Sequence, residues 1–310
     1  MGGAPGSTVD DPLAELTGAP AVVLATDPAA RAAQLAATSR VTYRVIQRFG
    51  YSYDGAAHDL VHRLAVIPPP RHGDQVRRAF RIDISDPAAA LTWERTSDGG
   101  VVAVVRLARV PSRLEFVVFA VVERDGDEPP RLPASALTGR RLLNPTALTR
   151  PDARIRAVAS SLMAGDPVTT ARRCASWVHR RIAYTEGVTG VVTPAAEALA
   201  GGRGVCQDQA HVTLSLCRAA GVPARYVSGH LLGDGGTHAW VEVIVPDPAA
   251  DGTARAVAID PCHDRLADRR YLTVAVGRDY ADVAPTSGRY CGPGRGTLVA
   301  TKQVDVIGLG

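Results

Sequence analysis

Residues 204–211 have the sequence Gly-Val-Cys-Gln-Asp-Gln-Ala-His. From Val205 to Ala220 the apolar residues recur at helical spacing, and Gly221 is suited to end the helix. Cys206 therefore falls in the first turn of a predicted helix. At that position the unpaired backbone N–H groups and the positive end of the helix dipole favour a thiolate. The stretch thus predicts an activated sulfur nucleophile.

A base for this thiol lies in the run from His238 to Val245, which alternates and is rich in β-branched residues. Such a pattern predicts a strand in which His238, Trp240 and Glu242 share one face. The glycine-rich stretch at 233–236 predicts a hairpin turn just before it. His238 would then lie at the end of the strand, where an imidazole can reach the start of a neighbouring helix.

An acidic residue, Asp260, ends the next apolar run at 256–259. An adjacent antiparallel strand would bring its carboxylate level with His238, where it would orient the ring and stabilise the imidazolium. Taken alone, each residue has a plain structural interpretation: a small buried hydrophobe for Cys, a hydrogen-bonded strand end for His and a turn signal for Asp. Their order along a helix followed by a β-meander instead favours a catalytic set of Cys206, His238 and Asp260.

On these residues the chain resembles the bacterial transglutaminase-like proteins of the papain-like cysteine protease class. The resemblance covers roughly residues 41 to 306. The matching segments are 182–184, 193–195, 204–211, 219–229, 238–243, 259–261 and 276–285. The resemblance implies that Cys206 is the nucleophile, His238 the general base and Asp260 the orienting carboxylate.

Two positions depart from the usual pattern of this family. Gln209 stands where the family usually carries an aromatic residue, so the cleft wall or the packing under the helix start must differ. Residues 262–264, Cys-His-Asp, follow Asp260 and Pro261 where a small polar residue and Asn or His are usual. The thiol of Cys262 either packs in the interior or forms a disulfide with Cys206 that would switch the enzyme off. Packing is the favoured interpretation.

Further residues are candidates for the oxyanion hole or the cleft. They are Gln207, Trp240, Tyr184 and Gln209. Trp240 either shields the histidine and aspartate from water or lines the cleft, whereas Tyr184 is favoured as a core residue. The oxyanion donor is expected to be the backbone N–H of Cys206 together with one further group.

The 310 residues are 46% hydrophobic and 21% charged, which suits a chain of two globular domains. The net charge of +4 is mildly basic, but the arginine pairs lack interleaved aromatic residues, so we expect no nucleic-acid partner. The N-terminus has no basic region with an apolar core, and no run approaches the ~20 apolar residues of a membrane helix. The sequence predicts a soluble, cytoplasmic protein with no membrane partner.

The cysteines form no Cys-x-x-Cys pair, which argues against a disulfide framework and for a reducing compartment. They are Cys174, Cys206, Cys217, Cys262 and Cys291. Zinc is an alternative role for a set of candidate ligands near the predicted site. That set comprises Cys206, His238, Asp260, Cys262 and His263. Its spacings are not those of structural zinc motifs, so no metal or other cofactor is expected.

Differences in residue pattern divide the chain into four parts. They are an N-terminal extension at 1–40 with a short helix at 28–38, an all-β domain at 41–125, a linker at 126–150 and a transglutaminase-like core at 151–310. The predicted strands of the β domain are 41–49, 60–67, 78–84, 91–95, 101–107 and 114–122. The core is predicted to contain helices at 151–164 and 168–182, the Cys206 helix, the meander and a last strand at 297–306. The expected fold class is α+β, a papain-like core preceded by an all-β sandwich-like domain.

The predicted chemistry is attack by the thiolate of Cys206 on an amide or thioester carbonyl of a peptide, a protein or a small acyl compound. His238 would protonate the leaving group, and water or an amine would resolve the thioacyl-enzyme. Peptidase-like or amidase-like hydrolysis is the first expectation, because water needs no second binding site. The alternatives are transglutaminase-type amide-bond formation with an amine acceptor and a non-catalytic binding or scaffold module. The complete set of Cys206, His238 and Asp260 counts against the module.

Overall fold

The computed structural model describes residues 18–233 and 235–310, which form a mixed α+β fold of mostly antiparallel sheets. Residues 1–17 of the predicted extension and Asp234 of the predicted hairpin turn lie outside this range. The strands are β1 Arg40–Tyr53, β2 Ala57–Leu64, β3 Arg71–His72, β4 Gln75–Ile84, β5 Ala90–Arg95, β6 Val101–Val110, β7 Arg113–Asp125, β8 Arg131–Pro133, β9 Ala183–Tyr184, β10 Arg203–Gly204, β11 Ala224–Leu231, β12 His238–Pro246, β13 Thr253–Asp260, β14 Arg265–Leu266, β15 Tyr271–Gly277, β16 Thr286–Cys291 and β17 Gly296–Leu309. The helices are α1 Pro28–Ala36, α2 Arg140–Leu143, α3 Ala153–Leu162, α4 Pro167–Arg181, α5 Ala195–Gly201, α6 Cys206–Ala219 and α7 Tyr280–Val283.

Two antiparallel sheets form a β-sandwich from the first third of the chain and its C-terminal end. One has the strand order β17-β1-β7-β4-β3 and the other β16-β2-β6-β5. Strand β1 alternates between buried and less buried residues along most of its length, as a strand with one covered face should. Phe49, Leu64, Val105 and Phe116 meet between the two sheets. All six strands predicted for this region are present.

The last strand pairs with a different part of the chain from the one expected. The sequence placed 297–306 with the catalytic core, but β17 runs antiparallel to β1 from Val41 opposite Leu309 to Tyr53 opposite Gly296. Alternation in a sequence predicts that a segment is a strand but not which strand it pairs with. The C-terminus therefore completes the β-sandwich.

The predicted linker at 126–150 is packed against the core. Strand β8 pairs with β13, and α2 places Leu142 against Ile244, Ala254 and Ala256 of the core sheet. The proline-rich break at Pro129-Pro130 predicted a linker between the two domains, because proline interrupts local hydrogen bonding. Contacts with distant strands nevertheless order the segment.

The core holds helices α3 to α6 on one face of a sheet ordered β14-β13-β12-β11-β15. Helices α3 and α4 begin within two residues of their predicted starts, where Asp152 and Asp166 accept hydrogen bonds from backbone N–H groups in the first turn. Helix α6 ends before Gly221, whose φ of 78° is a conformation that glycine adopts readily. No helix in the described part of the chain is long and apolar enough to cross a bilayer.

A short hairpin from the sandwich fixes the position of the core sheet. Gln75 exchanges two hydrogen bonds with the backbone of Thr273, at 2.7 and 2.8 Å. Arg124 of β7 binds the carboxylate of Asp74 and donates to the carbonyl oxygens of Asp268 and Tyr271. The sandwich thereby supports the strand that begins at Tyr271, next to the candidate site.

Candidate active site

The start of α6 presents the thiol of Cys206, which is half-buried. The Asp208 side chain accepts hydrogen bonds from the Val205 N–H at 2.8 Å and from the Thr189 hydroxyl at 2.6 Å. These bonds fix the first turn of the helix. At Gly204 a Cβ atom would lie 2.6 Å from the Asp208 carboxylate, so only glycine fits there. Asp208 therefore holds the helix start.

His238 and Asp260 form a buried pair at the ends of neighbouring strands. His238 Nε2 lies 2.8 Å from Asp260 Oδ2, and their side chains are 2% and 0% exposed. The pairing of β12 with β13 sets Val241 opposite Ile259, which places Asp260 one residue further toward His238. The antiparallel register thus brings together the two residues that the sequence pattern linked.

The carboxylate of Asp260 accepts hydrogen bonds from several directions. Besides His238, Oδ2 accepts from the Tyr271 hydroxyl and is bonded to His263 Nδ1, both at 2.7 Å, while Oδ1 accepts from the Cys262 N–H at 2.8 Å. Burial alone would raise the pKa of Asp260, but these hydrogen bonds hold that pKa well below its ordinary range. The carboxylate is therefore ionised at neutral pH.

The environment of His238 favours its protonated form. Burial would lower the pKa of His238, but hydrogen bonds to Asp260 and to the Cys206 thiol, together with their negative charges, raise it to about 9. Because Nε2 is bonded to Asp260, the thiol is left with the other ring nitrogen, Nδ1. The three side chains thus form a connected series from a helix start to a buried carboxylate, the arrangement of a nucleophile, a base and an orienting group.

Trp240 packs against His238 but does not line the cavity that opens beside this histidine. The indole ring is 1% exposed, stacks on His238 at 6.1 Å between ring centroids and meets Tyr271 edge-on at 5.4 Å. Of the two roles considered from the sequence, this position matches shielding of the histidine and aspartate from water. It does not match the role of a cleft wall.

Gln209, proposed as a cleft residue, is instead buried beneath the helix start. Its Nε2 donates to the carbonyl oxygen of Ile182 at 2.9 Å. Ile182 caps the C-terminus of α4, where carbonyl groups lack partners within the helix. The glutamine at this position therefore ties two helix ends together, which explains why an aromatic residue is dispensable here.

Tyr184 is exposed, contrary to the core position favoured from the sequence. The residue is 55% exposed, because β9 is a two-residue strand paired with β10 and no sheet covers its ring. It lines a cavity of about 620 Å³ together with His238 and Cys262. Gln207 is half-buried beside the nucleophile, with its amide nitrogen 3.5 Å from the carbonyl oxygen of Gly190. Tyr184 and Gln207 thus remain cleft candidates.

No disulfide joins any two of the cysteines, all of which belong to the described residues. Among the proposed zinc ligands, His238, Asp260 and His263 have ligand atoms within 4.8 Å of one another, whereas Cys206 and Cys262 are not part of that group. The two histidines direct these nitrogen atoms at Asp260 Oδ2 in hydrogen bonds. The cluster is therefore satisfied as a hydrogen-bond network.

Sequence reasoning missed the part that Tyr271 plays. Its hydroxyl donates to Asp260 and accepts from Arg265 Nε, both at 2.7 Å. His263 was noted only as a departure and as a zinc ligand, although it shares the carboxylate with His238. A polar residue three positions after Asp260 is a local signal for such a contact. Tyr271 offered none, because it reaches the site from a separate strand.

Known families match both parts of the chain. The Transglutaminase-like superfamily matches residues 156–251, which include Cys206 and His238 and end before Asp260. The Bacterial transglutaminase-like N-terminal region matches residues 43–123.

Individual proteins are also similar to this chain. An uncharacterized protein of Mycobacterium leprae (strain TN) is 31% identical over 283 residues, which are 84% of this chain and 97% of that protein. An uncharacterized protein of Mycobacterium tuberculosis (strain ATCC 25618 / H37Rv) is 33% identical over 247 residues, covering 74% of this chain and 76% of that protein. The solved structure of a candidate cysteine protease from Cytophaga hutchinsonii has a TM-score of 0.68 at 18% identity, covering 86% of this chain and 91% of that one; it is similar in fold. This chain therefore belongs to the bacterial transglutaminase-like proteins of the transglutaminase-like superfamily.

Proposed function

We propose that the protein catalyses thiol-dependent acyl transfer at an amide or thioester carbonyl, with Cys206 as nucleophile, His238 as acid and base, and Asp260 as orienting carboxylate. The observation that carries this proposal is the buried His238, hydrogen-bonded to Asp260 on one side and to the Cys206 thiol on the other. A merely structural histidine has no need of a half-exposed thiol at a helix start as its second partner.

In the first half-reaction the Cys206 sulfur attacks the carbonyl carbon, so that a C–S bond forms while the C–N bond to the leaving amine breaks. His238 gives its proton to the leaving nitrogen. The carbonyl oxygen, negative in the tetrahedral intermediate, would be stabilised by first-turn N–H groups of α6, which have no acceptor within the helix. The products are a thioacyl-enzyme and an amine.

In the second half-reaction an acceptor resolves the thioacyl-enzyme. His238, now neutral, takes a proton from the acceptor, the C–S bond breaks, and the thiolate–imidazolium pair is restored. We propose water as the main acceptor, which makes the enzyme a peptidase or amidase. Transfer to an amine is the second candidate, because the cavity of about 620 Å³ beside His238 has room for one. A cytoplasmic location remains a prediction.

A mass measurement tests the proposal. The enzyme is mixed with a p-nitrophenyl ester, and the covalent acyl group is mapped to a cysteine at short times with and without an added primary amine. Acylation of Cys206 well before the exposed Cys291 is the expected result, with loss of the adduct in Cys206→Ala but not in Cys291→Ala. An acid product supports hydrolysis and an amide product supports transfer. Equal acylation of the two thiols would favour the binding module instead.

A further inference from the structure

The cavity beside His238 carries an excess of cationic side chains. It has a volume of about 620 Å³ and is lined by His238 but not by Cys206, so it lies on the side of the base. Arg31 reaches it from the N-terminal extension, whereas Arg265 and Arg270 reach it from the segment that follows Asp260. Glu186, which is exposed, is the one carboxylate among the described lining residues.

The position of the cavity identifies which part of a substrate it would hold. In the proposed reaction His238 must deliver a proton to the leaving nitrogen, and in transfer it must accept one from the incoming amine. Proton transfer requires hydrogen-bond distance, so the amine component lies on the His238 side in both cases. The cavity is therefore the place for the rest of that amine component.

Two of the cations have no carboxylate at ion-pair distance in residues 18–233 and 235–310. Arg31 donates from Nε to the carbonyl oxygen of Ala25 and from Nη2 to that of Thr26, both at 3.0 Å. Arg265 donates from Nε to the Tyr271 hydroxyl. A third arginine lining the cavity, Arg270, differs because Asp268 neutralises it at 2.9 Å.

The described part of the N-terminal extension, from residue 18 to 40, holds Arg31 in place. Its helix α1 begins at the Asp27 cap. Leu35 anchors the helix, because its side chain is 1% exposed and packs in a hydrophobic cluster with Val41 and Leu232. Arg31 Nη1 lies against Gly233, where a Cβ atom would be 2.7 Å away. Arg31 lies outside both family matches, since they begin at residues 43 and 156.

We propose that the amine component of the substrate carries a carboxylate and that Arg31 and Arg265 bind it, with Arg31 determining specificity. Guanidinium groups suit this ligand because their planar donors match a carboxylate. This inference rests on the proposed function and names its substrate class. The leaving amine of the amide, or the amine acceptor in transfer, is an amino acid or an acidic residue.

The test measures how well matched peptides protect Cys206 from iodoacetamide. N-acetylglycyl-glutamic acid α-amide is compared with its glutamine counterpart, and N-acetylglycyl-alanine with its α-amide; the first pair varies a side-chain carboxylate and the second an α-carboxylate. In at least one of the two pairs, the peptide concentration that halves the rate of Cys206 alkylation should be about 3- to 10-fold lower for the acidic peptide than for its neutral counterpart. This is the difference expected for one partly screened charge pair. Salt at about 1 M should shrink the difference, because the Debye length falls to about 3 Å.

Variants assign the effect to a residue. Arg31→Gln should reduce the preference for the acidic peptide to less than about twofold, and Arg31→Lys should keep part of it. Arg48→Gln is the matched control, since Arg48 faces Glu115 on the sandwich, and it should keep the full preference. Equal protection by acidic and neutral peptides in the unsubstituted protein would overturn the inference even if Arg31→Gln failed to fold. The readout is alkylation, so failure of acyl transfer alone leaves this result interpretable.

Discussion

Replacing Asp260 by asparagine removes the negative charge that lies 2.8 Å from His238 Nε2. Burial lowers the pKa of His238, but this charge and its hydrogen bond, together with those of Cys206, raise it from 6.5 to about 9. Without the contribution of Asp260, burial is opposed by Cys206 alone, so the pKa of His238 should fall from about 9. At pH 7.5 the protonated fraction of His238, about 97% for a pKa of about 9, should therefore drop in the variant.

The loss of this proton has two consequences for the reaction. The thiolate of Cys206 loses its cationic partner, and the leaving group loses its acid. Asparagine also leaves the imidazole without a carboxylate to fix its tautomer, a change that lowers kcat about 10⁴-fold in a serine protease triad. We expect the acylation rate of Cys206 in Asp260→Asn to fall by roughly 10²- to 10⁴-fold at pH 7.5.

Two assays separate these effects. NMR titration of His238 reports its pKa directly, and intact-mass kinetics with a p-nitrophenyl ester report acylation of Cys206. Asp264→Asn is the matched control, because Asp264 is bonded to Ser176 and its φ of 48° suits asparagine. It should leave both measurements unchanged. Thermal unfolding of Asp260→Asn is run alongside, since the new side-chain amide would meet buried donors and cost about 1–3 kcal/mol.

A pKa of His238 near 9 in both the unsubstituted protein and Asp260→Asn would contradict this prediction. Asp260 would then not be the cause of the raised pKa of His238. An unchanged titration together with an unchanged acylation rate would also remove Asp260 from the catalytic set.

Three further predictions follow from buried or crowded groups. Gly204→Ala should push the Asp208 carboxylate off the helix start, destabilise the protein by about 0.5–2 kcal/mol and slow the alkylation of Cys206 by iodoacetamide. Gly201→Ala is the control, because a Cβ atom at Gly201 meets open space; it should change neither the stability nor the alkylation rate. Glu242→Gln leaves Arg225 buried without its carboxylate, and urea unfolding should show a loss of about 3–5 kcal/mol; a loss below about 1 kcal/mol would contradict this. Burial lowers the pKa of three histidines below 6.5, because the folded protein holds them in the neutral form. The protein therefore has its full stability above pH 6.5 and loses stability as the pH falls toward the folded-state pKa values, since the unfolded chain then binds more protons. They are His62 and His211, with pKa about 4, and His230, with pKa about 3. Denaturation curves from pH 7 to pH 4 should therefore show falling stability, by up to about 3 kcal/mol for each histidine, and a flat profile would contradict it.

Local chemistry determined the parts of the site that lie within single elements. Cys206 begins a helix because Asp208 accepts a hydrogen bond from the Val205 N–H and Gly204 leaves room for its carboxylate, and both residues lie within the same eight consecutive positions. Strand β12 follows from alternation, so the position of His238 at a strand end could be predicted as well. These signals are short-range, since capping and side-chain alternation depend on near neighbours in the chain.

Long-range pairing decided what the sequence alone left open or predicted wrongly. Strand β17, near the C-terminus, pairs with β1, the first strand of the described chain. Gln209 is buried because it donates a hydrogen bond to the end of α4, and Tyr184 is exposed in a strand of two residues. Tyr271 meets Asp260 because β15 pairs with β11 and the sandwich holds it there. The sequence alone was enough to predict the longer helices and strands and to propose the three residues of the candidate set. Tertiary structure decided their surroundings, because strand partners and buried polar contacts are selected by the packing of segments far apart in sequence.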